Sequence, residues 1–201
     1  MTVQGSWNHN THFHPLAVRH VAPATSALDV GCGEGLLTRQ LAAAGAARVL
    51  GVDVEPAMVA EARSRAPEGA SGLEYREGDF LAMPLEGRFD LVTCVATLHH
   101  VDLAAGLRRL RGLTAPGGRL VVVGLARSSG PLDVALGLAS VVVDPLVKPA
   151  RGYWEHPAPV VDPEHSYDDV ERVAATMLPG ARFRRRLYYR YTLEWAAPAD
   201  A

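Results

Sequence analysis

The sequence has few of the features that are typical of disulfide-rich, membrane-spanning or nucleic-acid-binding proteins. It contains 2 cysteines in 201 residues, which excludes a disulfide-rich scaffold. No apolar run reaches the roughly 18 residues of a membrane-spanning helix. The formal net charge of −2 gives no sign of the basic surface that binds nucleic acids. We therefore expect neither a membrane nor a nucleic-acid partner.

Targeting signals and internal repeats are also missing. The amino terminus lacks the charged and apolar regions of a signal peptide, so a cytoplasmic location is expected. With 48% hydrophobic residues the chain can bury a core, and one domain over residues 1–201 is the simplest expectation, as a monomer or a homodimer. Four arginines between Arg182 and Arg186 are interleaved with Phe183, which favours the solvent-facing side of a strand over an RNA-binding patch.

The most informative segment is Ala27–Gly35. A short apolar run leads into Gly31, Gly33 and Gly35, and a helical pattern follows at once. This indicates a strand, a glycine-rich turn and a helix N-terminus, where glycine permits positive φ and lets a ligand lie against bare backbone. The dinucleotide fingerprint is Gly-x-Gly-x-x-Gly, and here the third glycine comes one residue early. This spacing therefore leaves a second interpretation open, namely a tight strand-to-helix turn that binds no ligand.

Acidic residues follow the next two predicted strands. Residues 48–53 end in Asp53, about 20 residues after the glycines, where a carboxylate can accept both hydroxyls of a ribose. Asp53 could instead be the N-cap of a helix starting at Pro56. Residues 73–78 are followed by Asp79 and Phe80. An acid there can accept a hydrogen bond from the amino group of an adenine, and an apolar side chain can cover its ring.

Strands and helices alternate along the chain. Further strands are predicted at 89–95, which leads into His99 and His100, and at 118–125, after the turn at Pro116. Helices are predicted near 36–44, 56–66, 103–114 and 167–178, and Ser166 with Asp169 is typical of a capping box before the last. This rhythm predicts an α/β fold with a doubly wound, mostly parallel sheet, helices on both faces, and ligands at the carboxyl ends of the strands.

In this order the motifs resemble the class I S-adenosylmethionine (SAM)-dependent methyltransferases over a core of about residues 27–125. The resemblance rests on the Asp29–Gly35 loop, Asp53, the Gly78–Phe80 turn, the Phe89–Asp90 strand start and the Pro116–Gly118 turn. It implies SAM as cofactor, with its methionine part beside the glycine loop, its ribose on Asp53 and its adenine on Asp79. The predicted cofactor-binding residues are Asp29, Gly31, Cys32, Gly33, Gly35, Asp53, Val54, Gly78, Asp79, Phe80, Cys94 and His99. The family usually ends in an antiparallel strand, which Arg182–Leu187 and Arg190–Trp195 would supply.

Two segments lie outside this core, at about residues 1–20 and 127–165, and we expect them to form a lid over a small-molecule acceptor. The aromatic and polar side chains that they offer are Trp7, His12, Phe13, His14, Tyr153, Trp154 and His156. For the cluster of His9, His12 and His14 three interpretations stay open: a lid, a solvated arm or a metal site. No metal is predicted, because acidic or cysteine companions are lacking.

Methyl transfer needs orientation and exclusion of water more than a catalytic group, and a base only if the acceptor loses a proton. His100 and His14 are the candidates for a base or an orienting donor, although His100 could merely pack or cap locally. Cys94–Thr97 replaces the signature of amide-methylating enzymes, which favours a small acceptor methylated at oxygen or nitrogen, with carbon possible. The alternatives are an NAD(P)-binding oxidoreductase and a non-catalytic SAM-binding protein. The thiols of Cys32 and Cys94 either approach each other near the cofactor or fill tight spots.

Overall fold

The computed structural model describes residues 7–151 and 163–199. Within these ranges the chain forms seven strands: β1 (Ser26–Val30), β2 (Arg48–Asp53), β3 (Leu73–Glu77), β4 (Phe89–Val95), β5 (Thr114–Leu125), β6 (Arg182–Arg186) and β7 (Arg190–Ala196). They make one sheet in the order β3-β2-β1-β4-β5-β7-β6. The first five strands are parallel, and β7 lies antiparallel between β5 and β6. The predicted mostly parallel sheet with an antiparallel carboxyl-terminal strand is confirmed, and that strand is β7.

The described parts of the chain also contain six helices: α1 (His14–Val18), α2 (Leu36–Ala43), α3 (Pro56–Ser64), α4 (Leu103–Leu113), α5 (Pro131–Arg151) and α6 (Tyr167–Met177). Short 3-10 turns cover Thr11–Phe13 and Leu98–His100. The helices predicted from periodicity end within two residues of these bounds. The fifth strand begins at Thr114 rather than at residue 118, because its pairing with β4 shifts register around the glycine turn.

The sheet buries both of its faces, as the alternation of side chains along each parallel strand requires. Leu28 packs in a cluster that includes Leu107 of α4 and Val170 of α6. Its neighbour Ala27 packs in a second cluster, with Leu37 and other residues of α2. Helices therefore cover both faces, and the carboxyl edge of the sheet is left for a site.

The insert after β5 consists in its described part mainly of α5. The carboxylate of Asp133 accepts hydrogen bonds from the backbone N–H groups of Ser129 and Gly130, at 3.0 and 3.1 Å, and forms an ion pair with Arg185 of β6 at 2.7 Å. Ser140 Oγ accepts a hydrogen bond from Tyr188 N at 2.7 Å. Tyr153, Trp154 and His156, which we predicted for the lid, lie outside the described residues.

The amino-terminal segment, described from Trp7 onwards, packs in that part against the turn between β6 and β7. Trp7 and Phe13 share an apolar cluster with Tyr188, and the ring of His9 stacks on Tyr188 at 4.6 Å. Arg190 Nε donates a hydrogen bond to Asn10 Oδ1 at 2.9 Å. The segment is thus anchored rather than solvated. In the described ranges, no helix combines the length and apolar character needed to cross a membrane.

Candidate active site

A cavity of about 770 Å³ lies at the carboxyl ends of β1, β2, β3 and β4. Four sheet loops and the amino-terminal segment form its wall. The lining residues are Asn8, Asn10, Thr11, His14, Asp29, Gly31, Cys32, Gly33, Glu34, Leu36, Leu37, Val52, Asp53, Val54, Glu55, Ala57, Met58, Gly78, Asp79, Phe80, Val95, Ala96, Thr97, His100 and Val101. The volume falls within the range of about 300–1,000 Å³ that small-molecule sites occupy.

The glycine loop after β1 has the backbone that its sequence predicts. Gly31, Gly33 and Gly35 adopt φ angles of +68°, +52° and +76°, the left-handed region that glycine enters without strain. Gly31 N donates a hydrogen bond to Val52 O at 2.8 Å, which ties the loop to β2. Gly35 precedes α2, and a Cβ there would lie 2.5 Å from Tyr75 Oη. Gly35 is therefore required by packing and does not line the cavity.

Asp53 joins the glycine loop to the end of β2. Its Oδ2 accepts a hydrogen bond from Gly33 N at 2.7 Å, and its Oδ1 accepts one from Glu55 N at 3.0 Å. The N-cap of α3 is Glu55, so the alternative of Asp53 as N-cap is not realised. A carboxylate has about four acceptor positions, so this one can accept further donors from the cavity. It fits the hydroxyls of a ribose.

The turn after β3 supplies a second carboxylate beside an aromatic ring. Asp79 is exposed, and its Oδ1 accepts a hydrogen bond from Leu81 N at 2.9 Å. Phe80 is buried in the cluster that includes Leu28 and also lines the cavity. Val54 and Met58 line the cavity as well. An acceptor next to apolar side chains fits the amino group and the ring of an adenine.

Asp29 forms a buried part of the cavity wall. Its carboxylate accepts hydrogen bonds from Thr38 Oγ1 and Thr93 Oγ1, both at 2.7 Å. Burial raises the pKa of Asp29 to about 6, although both hydroxyls favour the charged form. The group fixes the β1 end to α2 and β4, and it adds negative charge to the cavity above that pH.

Two candidate histidines, His14 and His100, line the same cavity in different surroundings. His14 begins α1 and is buried, and its Nδ1 lies 2.8 Å from Gln40 Oε1 on α2. Burial lowers the pKa of His14 to about 4, against a smaller opposite effect of Gln40. His100 is exposed, and its ring centroid lies 4.0 Å from that of His99.

Two more of the predicted cofactor-binding residues, Cys94 and His99, do not line the cavity. Cys94 is buried in the cluster that faces α4, and burial raises the pKa of its thiol to about 12. Cys32 lies in the cavity wall and packs in a separate cluster with Val59 and Tyr75. Both thiols are free, and they fill tight spots in different clusters. His99 is half-buried, and burial, His100 and Arg190 together lower its pKa to about 4.

The structure also brings in residues that sequence reasoning missed. Asn8, Asn10, Thr11 and Thr97 line the cavity, and Gln40 lies behind its wall. Asn8 Oδ1 accepts hydrogen bonds from Asn10 N and Thr11 N, both at 2.9 Å. These two bonds close a turn in the amino-terminal segment. An Asn followed three residues later by Thr is a recognisable turn signal. In the parts of the chain that the structure describes, no group of three metal-ligating side chains is assembled.

Comparisons with known sequences identify the family of the chain. A family model described as a methyltransferase domain matches residues 28–122. An uncharacterized methyltransferase of Mycobacterium tuberculosis is 35% identical over 197 residues, which cover 96% of this chain and 98% of that protein. A ubiquinone biosynthesis O-methyltransferase of Xanthomonas campestris is 36% identical over 141 residues, 69% of this chain and 59% of that protein.

Solved structures show the same fold. The magnesium protoporphyrin IX methyltransferase of Synechocystis, with bound SAM, superposes with a TM-score of 0.62 at 23% identity, covering 94% of this chain and 79% of that one. A SAM-dependent methyltransferase from Mesorhizobium loti gives 0.62 at 18% identity, covering 90% and 96%. At these identities the likeness concerns the fold.

Proposed function

The chain belongs to the SAM-dependent methyltransferase family, and from this premise we propose that it methylates a small organic acceptor at oxygen or nitrogen. The observation that carries the proposal is that one cavity joins two kinds of wall. Glycine backbone, Asp53, Asp79 and Phe80 form the first wall, and polar side chains of the amino-terminal segment form the second. A cofactor on the first wall would face an acceptor on the second.

The first wall fits SAM, the cofactor of this family, by the chemistry of its groups. Gly31 and Gly33 would lie beside the methionine part, Asp53 would accept the ribose hydroxyls, and Asp79 with Phe80 would hold the adenine. When bound, SAM supplies a methyl group that is already strongly electrophilic. The protein then has to orient the acceptor and exclude water, and proximity of this kind can lower a barrier by about 7–11 kcal/mol.

The second wall supports a small acceptor. Asn8, Asn10, Thr11 and His14 approach from the amino-terminal segment, and Val95 and Val101 add apolar surface near the end of β4. A mostly apolar pocket with a few oriented polar groups is the usual form of a small-molecule site. The anchoring of the segment on Tyr188 and Arg190 supports its role as a cover over this side.

Oxygen is the favoured acceptor atom. The Xanthomonas relative is named as an O-methyltransferase, and its matched portion covers most of this chain. His100 and His14 lie in the wall where they could accept a proton or orient a hydroxyl. The family membership disfavours the alternative of an NAD(P)-binding oxidoreductase.

The test is methyl transfer itself. Purified protein would be incubated with methyl-labelled SAM and a panel of phenols, alcohols and amines, with S-adenosylhomocysteine and labelled product as the readouts. We expect product with at least one class of acceptor, and a large loss of product in Asp53→Ala at low SAM concentration. Tight binding of SAM without transfer to any acceptor class would support the non-catalytic alternative and contradict the proposal.

A further inference from the structure

The charged residues in the cavity wall have one sign. Asp29, Asp53, Glu55 and Asp79 line it, as does Glu34, whose charge is paired with Arg65 outside the wall. Among the described lining residues there is no arginine or lysine. A concave site with charge of one sign concentrates its field in the cavity. This field attracts a cationic sulfonium and repels an anionic acceptor, so it discriminates by charge before any contact is made.

The pairing of His14 with Gln40 fixes which ring nitrogen can face a ligand. Gln40 Oε1 faces His14 Nδ1 at 2.8 Å, and an amide oxygen accepts but cannot donate. In this orientation of the amide, the contact requires the hydrogen of the neutral imidazole to be on Nδ1. Nε2 then carries the lone pair. His14 lines the cavity while Gln40 does not, so Nε2 is the ring nitrogen available to a ligand there.

The surroundings of His14 also keep its ring uncharged. Burial lowers the pKa to about 4, so the imidazole is neutral at pH 7. A neutral ring does not repel the positive charge of a sulfonium, which an imidazolium at the same place would do. His14 is therefore suited to accept a hydrogen bond and unsuited to bind an anion.

Building on the proposed function, we propose that Gln40 holds His14 in the Nδ1–H tautomer and that His14 Nε2 accepts a hydrogen bond from an uncharged hydroxyl of the acceptor. The site would accordingly take alcohols or phenols in preference to carboxylates or phosphates. His14 is then a catalytic residue, because it touches the substrate, and Gln40 is a positioning residue that acts through it.

The transfer balances with these residues alone. A lone pair of the hydroxyl oxygen forms the bond to the methyl carbon, and the carbon–sulfur bond breaks with its electron pair left on sulfur. The hydroxyl proton passes along its hydrogen bond to Nε2 and then to solvent. A protonated ether is a much stronger acid than an imidazolium, so even an imidazole of low pKa can take this proton once the carbon–oxygen bond has formed.

The tautomer can be tested in the free protein. Nitrogen-15 chemical shifts of His14 should place its hydrogen on Nδ1 in the wild type and in Gln40→Glu, which keeps an acceptor oxygen. Gln40→Met, of similar length without an acceptor, should lose this signature. A wild-type hydrogen on Nε2 would overturn the proposal, whatever the activity of the protein.

The second test compares acceptors and variants. We expect a phenol to exceed its matched benzoate at least tenfold in kcat/KM. In His14→Phe and Gln40→Met, kcat/KM for the phenol should fall by about 10- to 100-fold, the usual effect of losing such a hydrogen bond, while the SAM dissociation constant stays within about twofold. Arg19→Ala is the matched control, since Arg19 follows α1 and pairs with Glu194 away from the cavity wall.

The failures can be told apart. A preference for carboxylates, or an unchanged kcat/KM in His14→Phe, would overturn this inference and leave methyl transfer standing. A loss of SAM affinity in His14→Phe without a change for the acceptor would also overturn it, because Nε2 would then face the cofactor. Absence of transfer to any hydroxyl or amine would instead contradict the proposed function.

Discussion

At the scale of single residues, Asp53 combines a structural and a binding task. Its carboxylate accepts hydrogen bonds from the backbone N–H groups of Gly33 and Glu55, and it would accept further hydrogen bonds from the ribose hydroxyls in the cavity. Asp53→Ala should weaken SAM binding by about 10- to 100-fold, since a hydrogen bond to a charged group contributes about 1.5–3 kcal/mol. Calorimetry measures this. Glu77→Ala is the control, because it removes a charge from the neighbouring end of β3 outside the cavity wall. An equal loss of SAM affinity in both variants would mean that Asp53 acts only through its charge and does not hydrogen-bond the ribose.

The depressed pKa of His14 makes a prediction about stability against pH. The folded state holds this ring neutral down to about pH 4, whereas the unfolded chain protonates it near pH 6.5. Protonation therefore favours unfolding in this window, and the stability that depends on His14 rises as the pH rises from about 4 to 6.5. Over that window wild type should gain about 3 kcal/mol relative to His14→Phe, at 1.36 kcal/mol per pKa unit.

Urea unfolding of both proteins at pH 4.5 and pH 7 measures that difference. Asp29 acts in the opposite direction, because its raised pKa makes stability fall as the pH rises from about 4 to 6. Its contribution is present in both proteins and cancels in the comparison. A difference between the proteins that does not change with pH would contradict the assigned protonation of His14.

At the scale of elements, the described part of α5 is attached through the ion pair of Asp133 with Arg185 and the hydrogen bond between Ser140 and Tyr188. Although burial opposes its ionisation, the N–H groups of Ser129 and Gly130 and the ion pair with Arg185 hold the pKa of Asp133 below its ordinary value. Asp133→Ala removes the buried partner of Arg185, which keeps its pair with Asp168, and it takes the acceptor from the N–H groups of Ser129 and Gly130. Loss of a partner by a buried polar group typically costs about 1–3 kcal/mol. We expect faster amide hydrogen exchange in α5, with exchange in β1 and β4 little changed.

Asp168→Ala is the matched control for α5, because Asp168 pairs with the same arginine but its side chain is mostly exposed, and exposed pairs contribute about 0–1 kcal/mol. The effect of Asp133 also depends on pH. A carboxylate whose pKa is lowered by folding stabilises the fold above its unfolded pKa, so the attachment of α5 should weaken as the pH falls below the ordinary aspartate value of 3.8. Equal exchange rates in both variants would contradict this role of Asp133.

The regular elements could be predicted because their signals are local. Apolar strands bounded by glycine, and the reciprocal cap of Ser166 and Asp169 before α6, depend on neighbours in the sequence, and the structure has both. The early start of β5 could not be predicted, since it depends on how the chain pairs with β4. The insert gave no local indication that Tyr188, nearly 50 residues away, would bond to Ser140 of α5.

At the scale of the whole molecule, the carboxyl edge of the sheet was predictable and the second wall of the cavity was not. Asp53 and Asp79 follow strands, and the parallel topology brings such residues to one edge. The partner of His14 was missed, because Gln40 lies 26 residues further on and is ordinary in a helix. His9 and His12 share the sequence cluster of His14, yet they pack at Tyr188, and only tertiary structure separates these histidines.

The last prediction concerns ligand binding by the whole fold. A ligand that binds only the folded state adds RT ln(1 + [L]/Kd), about 2.7 kcal/mol at 100 times Kd. For a chain of this size each kcal/mol shifts the melting temperature by roughly 2–4 °C, so saturating SAM should raise it by roughly 5–10 °C. NADH should cause little shift, because the third glycine of the loop is turned away from the cavity against Tyr75 and the acidic wall repels a pyrophosphate. Asp53→Ala should reduce the SAM shift at equal concentration. A larger shift with NADH than with SAM would contradict the assignment of the cavity to a cationic cofactor.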